Sequence, residues 1–191
     1  MSGTIWLIVE DKTDGDIVRV ILEKRGIKVK SPKVLKPDGA RGGISRLAKQ
    51  LEKLIKTIRD NPQFNSKRDC IAVLHDWDEN TQQSNRKHYK DIERICTKFK
   101  VKLIIARDEI ESWILADSGV CEWLDLPLDN RDTVRKPSDE LSRLMQKKYR
   151  MKYQGADRAK VLEELVGDAD RHSPSMREAL QHLDNAPCVK K

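Results

Sequence analysis

The chain reads as an α/β protein whose parallel sheet carries helices on both faces. Three observations predict this class. Residues 4–10, 69–76 and 101–107 are short apolar runs with the length and β-branched content of buried strands. Helical periodicities occupy the intervals between them, as parallel strands joined by crossovers require. Beyond residue 107 no strand pattern follows, so the last third is expected to be helices packed on the sheet or a small helical subdomain.

Taken in order, "TIWLIVE" (4–10) opens as a strand. Ile17, Val18, Ile21 and Leu22 then recur at helical spacing from Asp14 to Arg25, with Asp14 as the expected N-cap and Gly26 as the residue that ends the helix. "IKVKSPKVL" (27–35) alternates apolar and basic residues like an edge strand, a place Pro32 favours. "KPDGARGG" (36–43) is a turn-rich loop. Ile44, Leu47, Leu51, Leu54, Ile55 and Ile58 share one face of a helix over 44–59 that carries Lys and Arg opposite. A second strand (69–76) leads through the polar stretch "DWDENTQQSNRK" to a helix over 88–98, and the third strand covers 101–107. Helices are expected over 108–124, 138–149, 157–166 and 173–183.

Thirty-eight Lys and Arg against 31 Asp and Glu give a net charge of +7. That balance suits a polyanionic partner such as nucleic acid, and it equally suits an ordinary basic protein. Cys70, Cys96, Cys121 and Cys188 show neither CxxC spacing nor a paired histidine. The pattern argues against a zinc site and against a disulfide framework, and predicts a cytoplasmic protein with reduced thiols. No apolar run approaches the ~20 residues needed to cross a bilayer, so no membrane association is expected, and no signal-peptide pattern opens the chain.

In a parallel sheet the strand C-termini share one edge, where ligands bind. Three strand ends here carry acid. The first ends in Glu10, with Asp14 one helical turn on. The second, "VLHDWDEN", supplies Asp76 and Asp78, and the third, "ARDEIESWILAD", supplies Glu109 and Glu111. Asp76 and Asp78 are two apart, so in extended backbone they point the same way. Carboxylates held together repel unless a proton or cation lies between them, and Mg²⁺ (or Mn²⁺) is a hard ion suited to such oxygens. Plainer readings stand beside this one. Asp14 caps a helix, and Glu109 and Glu111 favour a helix N-terminus. His75 points to the opposite face, and Trp77, Trp113 and Trp123 are core or wall residues. Lys12, Arg41, Arg46, Arg107 and Lys152 are candidates to hold phosphates. The glycines Gly39, Gly42 and Gly43 form either a plain turn or an amide cradle for a nucleic-acid backbone.

A strand followed by Glu10-Asp11 also resembles the opening of a phosphate-receiving signalling domain. That reading requires a phosphate-accepting Asp near residue 50, where this chain has a basic helix, and a Lys at a later strand end, where it has "ARDEIE". The spacing excludes it. "IWLIVEDKTD", "VLHDWDEN" and "IIARDEIESWILAD" together resemble the Toprim domain of topoisomerases, primases and OLD-type nucleases. The "EIESWILAD" and "GARGGISRL" runs are similar to small stand-alone bacterial Toprim-like proteins. The likeness covers about residues 4–118. It implies a Toprim/Rossmann-like sheet sandwiched by helices, with a catalytic domain at 1–118 and a C-terminal helical extension at 119–191 packed on it.

The resemblance implies Mg²⁺-dependent hydrolysis of DNA or RNA phosphodiesters, endonuclease fashion. Glu10, Asp14, Asp76, Asp78 and Glu111 would hold metal, with Glu109 the alternative to Glu111. Glu10, Asp76, Asp78 and Glu111 would be the catalytic set, Glu10 also serving as a general acid or base. OLD-type nucleases usually act with an ATPase, so a separately encoded ATPase, in phage defence, is the partner implied. Many Toprim domains have Gly after the first Glu, and this chain has Asp11. Tyr89, Tyr149 and Tyr153 lack the signature a topoisomerase nucleophile needs, and 191 residues leave little room for a primase. Two other classes remain beside the nuclease: a non-cleaving module that binds nucleic acid or a partner, and a small-molecule phosphohydrolase.

Overall fold

A computed structural model describes residues 3–27, 43–77, 82–184 and 188. Among them, β1 (Ile5–Ile8), β2 (Cys70–Trp77) and β3 (Lys102–Arg107) form one parallel sheet in that spatial order. Ile5 pairs with Cys70, Ala72 with Lys102 and Trp77 with Arg107. All three strands therefore deliver their C-termini to one edge.

Alternation along the strands sorts their side chains onto two cores. Ile5, Leu7, Ala72, Leu74, Ile104 and Ala106 face one layer, while Trp6, Ile8, Ile71 and Val73 face the other. The second layer is built by α2 (Ile44–Arg59) and α3 (Gln82–Phe99), whose Leu47, Leu51, Ile55, Ile92 and Cys96 are buried against the sheet. The first is built by α1 (Lys12–Lys24) and the C-terminal helices: α4 (Glu111–Leu115), α5 (Ser118–Leu124), α6 (Pro137–Tyr149), α7 (Ala156–Glu164) and α8 (Pro174–Asp184). Residues on both sides of position 118 interleave in this core, with Leu141, Met145, Val161 and Leu180 beside Ile17, Leu22 and Trp113. No described helix is long and apolar enough to cross a membrane.

Several local expectations change. Asp11 is the N-cap of α1: its side chain accepts from Thr13 N at 2.8 Å, and Asp14 is its capping-box partner, accepting from Asp11 N at 3.3 Å. The helix expected over 88–98 begins at Gln82, because polar residues that carry no apolar stripe still propagate an existing helix. The stretch 108–124 is two helices rather than one. Asp117, fully buried, caps α5 through Gly119 N at 3.1 Å and also accepts from Val166 N at 3.0 Å and Gly167 N at 2.7 Å. A side chain committed to a loop 50 residues away turns the chain there. Gly26 does follow α1 with φ of 75°, a conformation that favours glycine. The strand expected over 27–35 lies, beyond Ile27, outside the described residues.

The thiol expectation is corrected as well. Cys70, at the start of β2, and Cys188 form a disulfide across Cα atoms 5.6 Å apart. Their separation of 118 residues carries no local spacing signal. Cys96 and Cys121 are free and buried.

Candidate active site

Glu10 follows β1, Asp76 sits at the penultimate residue of β2, and Glu111 opens α4 just beyond β3. Asp14 reaches the same place from the first turn of α1. The sheet thus converges four carboxylates that are far apart in sequence. Asp76 is on the α1 side of β2, because alternation turns His75 and Trp77 to the α3 side, where both contact Tyr89 with ring centroids 5.1 and 4.5 Å away. His75 Nδ1 lies 3.0 Å from the Asp76 carbonyl oxygen, and burial lowers its pKa.

The electrostatics of the cluster are those of crowded, under-compensated carboxylates. Burial, then the charge of Asp14, raises the Glu10 pKa to about 7, partly offset by the Asp76 main-chain N–H that donates to it. Burial, then Glu111 and Asp11, raises Asp14 to about 7. Burial pushes Asp76 well above the usual carboxylate range, and Asp14, Glu111, Glu10 and Glu109 add to the effect in that order. Glu111, 7% exposed, is raised by burial and by Glu109. The Asp76 Oδ1 is enclosed and has no hydrogen-bond partner. A buried oxygen left in that state costs about 1–3 kcal/mol unless a ligand or cation satisfies it.

Glu109 has a different task. Its Oε2 accepts from Ser138 N at 2.8 Å and so caps the start of α6, whose own N-cap position, Lys136, offers no side-chain acceptor. Of the two candidate acids after β3, Glu109 and Glu111, Glu111 is therefore the one turned into the cluster.

Two residues that the strand-end reasoning passed over come from the C-terminal third. Tyr153, 5% exposed, lies beside Glu111 without a hydrogen bond of good geometry to its hydroxyl. Burial and the Glu111 charge raise its pKa. The Arg158 guanidinium stacks over the Tyr153 ring at 4.7 Å and donates to Thr13 Oγ1 at 2.7 Å, joining α7 to the first turn of α1. Its charge lowers the pKa of both Asp14 and Glu111, and its Nε is buried without a partner. No sequence motif announces either residue.

Among the expected phosphate contacts, Lys12 is exposed in the first turn of α1, Arg107 is exposed at the end of β3, Arg46 is half-buried in the first turn of α2 and Lys152 is exposed beside Tyr153. Asp78 and Arg41, with Gly39 and Gly42, lie outside the described residues. Gly43 is the N-cap of α2, with φ of 130°. Among the described residues no group of three acids, histidines or cysteines closes a ready-made cation cage. The donor set nonetheless fits a hard divalent ion. It is all carboxylate, mutually repelling, and includes one orphaned buried oxygen. Comparison with family models, curated proteins and solved structures found no match to the chain.

Proposed function

We propose that the protein is a Mg²⁺- or Mn²⁺-dependent nuclease that hydrolyses DNA or RNA phosphodiesters, with a Toprim-type arrangement of acids on its parallel sheet. The observation that carries this reading is the enclosed, unpartnered Asp76 Oδ1 among three further carboxylates of raised pKa. Structural carboxylates are normally paired or hydrogen-bonded, whereas these lack an internal counter-charge equal to their number.

Asp76, Glu10, Asp14 and Glu111 would hold the ion, with Asp78 as a further ligand. A bound divalent ion there supplies Lewis acidity toward phosphate and a more acidic bound water. The chain's own contribution is positional. α1 and α4 fix the two outer acids, and Glu10, with its pKa near 7, can hold or release a proton at neutral pH. Arg158 Nε lacks an acceptor and the Tyr153 hydroxyl has only a poorly aligned Glu111, and a phosphate oxygen beside the carboxylates would satisfy both. The net charge of +7 supports a polyanionic substrate over a neutral one. The partner ATPase and a role in phage defence remain proposals resting on the Toprim resemblance alone.

Labelled DNA and RNA incubated with Mg²⁺, Mn²⁺ or EDTA test the reading. Cutting is expected with either ion, none with EDTA, and none by Asp76→Ala. Cutting that survives both EDTA and Asp76→Ala removes the metal mechanism. Salt-sensitive binding without cutting under any ion favours the non-cleaving module.

A further inference from the structure

The acid cluster repels the polyanion it is proposed to cut, so the substrate needs a cationic approach. The described surface offers one beside the site. Lys147, in the last turn of α6, is followed by Arg150 and Lys152. All three are exposed, and none has an ion-pair partner among the described residues. Their neighbour Lys148 differs, being held by Asp125 at 2.6 Å and by the Trp123 carbonyl oxygen at 2.6 Å.

The connector carrying these cations is held in place. Arg150 closes α6 in the left-handed region, φ 57°, donating to Gln146 O. Lys152 N donates to Asp157 Oδ2 at 3.1 Å, and Gln154 N to Lys152 O at 2.7 Å. The next residue after Lys152 is Tyr153, against Glu111, and Arg158 covers its ring. The unpaired cations of this connector thus lead along the chain to a buried Arg158 Nε without an acceptor and a Tyr153 hydroxyl poorly aligned with Glu111, next to the carboxylates.

We infer that the segment from Lys147 through Lys152 to Arg158 is the track along which the phosphodiester backbone of a nucleic acid reaches the acid cluster. Phosphates contact Lys147, Arg150 and Lys152 in passing, and the one nearest the cluster meets Arg158 and Tyr153. This inference rests on the nuclease reading for its substrate class, but it is tested by binding alone. The basic face of α2 lies on the opposite layer of the sheet and, with Lys90 of α3, serves as the control.

The test measures fluorescence anisotropy of labelled single-stranded DNA, duplex DNA and RNA, each about 20 nucleotides long, in EDTA between roughly 50 and 200 mM salt. One variant reverses the track (Lys147→Glu, Arg150→Glu, Lys152→Glu). Another reverses three exposed residues of the α2–α3 layer (Lys49→Glu, Lys53→Glu, Lys90→Glu), with the same change in net charge. The three polymers identify which nucleic acid the track takes. The track variant is expected to bind at least about tenfold more weakly and to lose roughly two to three from the salt slope. The control is expected to keep most of the wild-type slope, and both are expected to melt as the wild type does. Equal loss in both variants, or no binding of any of the three polymers, overturns the track. Cutting by a track variant that binds normally overturns it too and leaves the nuclease reading standing. Track-dependent binding without cutting does the reverse.

Discussion

Asp69 and Asp76 lie at opposite ends of β2, and both place a carboxylate oxygen out of solvent reach, yet the chain treats them in opposite ways. Asp69 accepts from Thr4 N at 3.1 Å, Asn65 N at 3.0 Å and Trp6 Nε1 at 3.4 Å, pinning the strand entrance to β1 and to the preceding loop. Asp76 keeps one enclosed oxygen with no donor and has four acids within electrostatic reach, Asp14, Glu111, Glu10 and Glu109. A buried carboxylate is therefore not by itself a sign of function. The sign is burial without satisfaction, which a fold tolerates where a ligand completes the site.

Replacing each residue should separate these roles most sharply. If Asp76 holds the proposed ion, Asp76→Asn should cost cutting at least roughly a hundredfold, since even outer-shell partners of metal ligands change affinity or activity by about 10–100-fold. The same change should stabilise the metal-free protein at about pH 8, by about 1–3 kcal/mol, because an amide there carries no charge to repel its neighbours. Asp69→Ala should do the opposite. It strands three donors and costs roughly 3 kcal/mol in thermal or urea unfolding, while the folded fraction cuts normally. A destabilised Asp76→Asn would end the contrast.

The disulfide belongs to the Asp69 end, where Cys70 opens β2. Closing so long a loop should contribute up to about 4 kcal/mol, so reduction should lower the melting temperature by several degrees. Cutting by the folded protein should not change, since the pair is at the far edge of the sheet from the acids. Loss of activity in step with reduction, below the melting range, would tie the two ends together and contradict the division.

The pH response should come from the Asp76 end. Glu10 and Asp14 titrate near 7 in the folded chain and near the ordinary carboxylate range when unfolded. The folded state therefore binds more protons between about pH 4 and 7, and stability falls as pH rises through that window, then levels off. With allowance for solvent screening of these half-buried side chains, the fall is on the order of 3 kcal/mol. An ion held there as proposed would have to displace those protons, so the apparent Mg²⁺ affinity should rise over the same window and Mg²⁺ should flatten the stability curve. Calorimetric unfolding with and without Mg²⁺ checks both signs.

What the sequence made legible follows from periodicity. Three apolar runs with β-branched content matched the strands to within one or two residues, and parallel pairing then brought Glu10, Asp76 and Glu111 to one edge. Choices set by distant contacts were not legible. The break at Asp117 depends on amides at 166–168, the Cys70–Cys188 pair on a fold that joins both chain regions, and the choice of Glu111 over Glu109 on Ser138. Asp11-x-x-Asp14 had a capping-box spacing that was available to be read. Tyr153 and Arg158 had no such signal, because a tyrosine and an arginine in a basic stretch look alike whether they face solvent or an active site.

Tyr153 and Tyr149 bring the same contrast down to single hydroxyls. Tyr149 Oη donates to the Trp123 carbonyl oxygen at 2.6 Å, its ring stacked on Trp123 with centroids 4.6 Å apart. Tyr149→Phe should cost about 1 kcal/mol, an ordinary hydrogen bond, and leave cutting untouched. Tyr153 has an enclosed hydroxyl beside Glu111 with no hydrogen bond of good geometry, so Tyr153→Phe removes a poorly bonded donor. Its effect on stability should stay within about 0.5 kcal/mol of zero, the range of changes that disturb no native contact. If the hydroxyl meets a phosphate oxygen, the cost appears as a several-fold fall in the cutting rate instead. A Tyr153→Phe protein that is destabilised but cuts at the wild-type rate would make this hydroxyl a structural one, and the orphaned donor would lose its meaning.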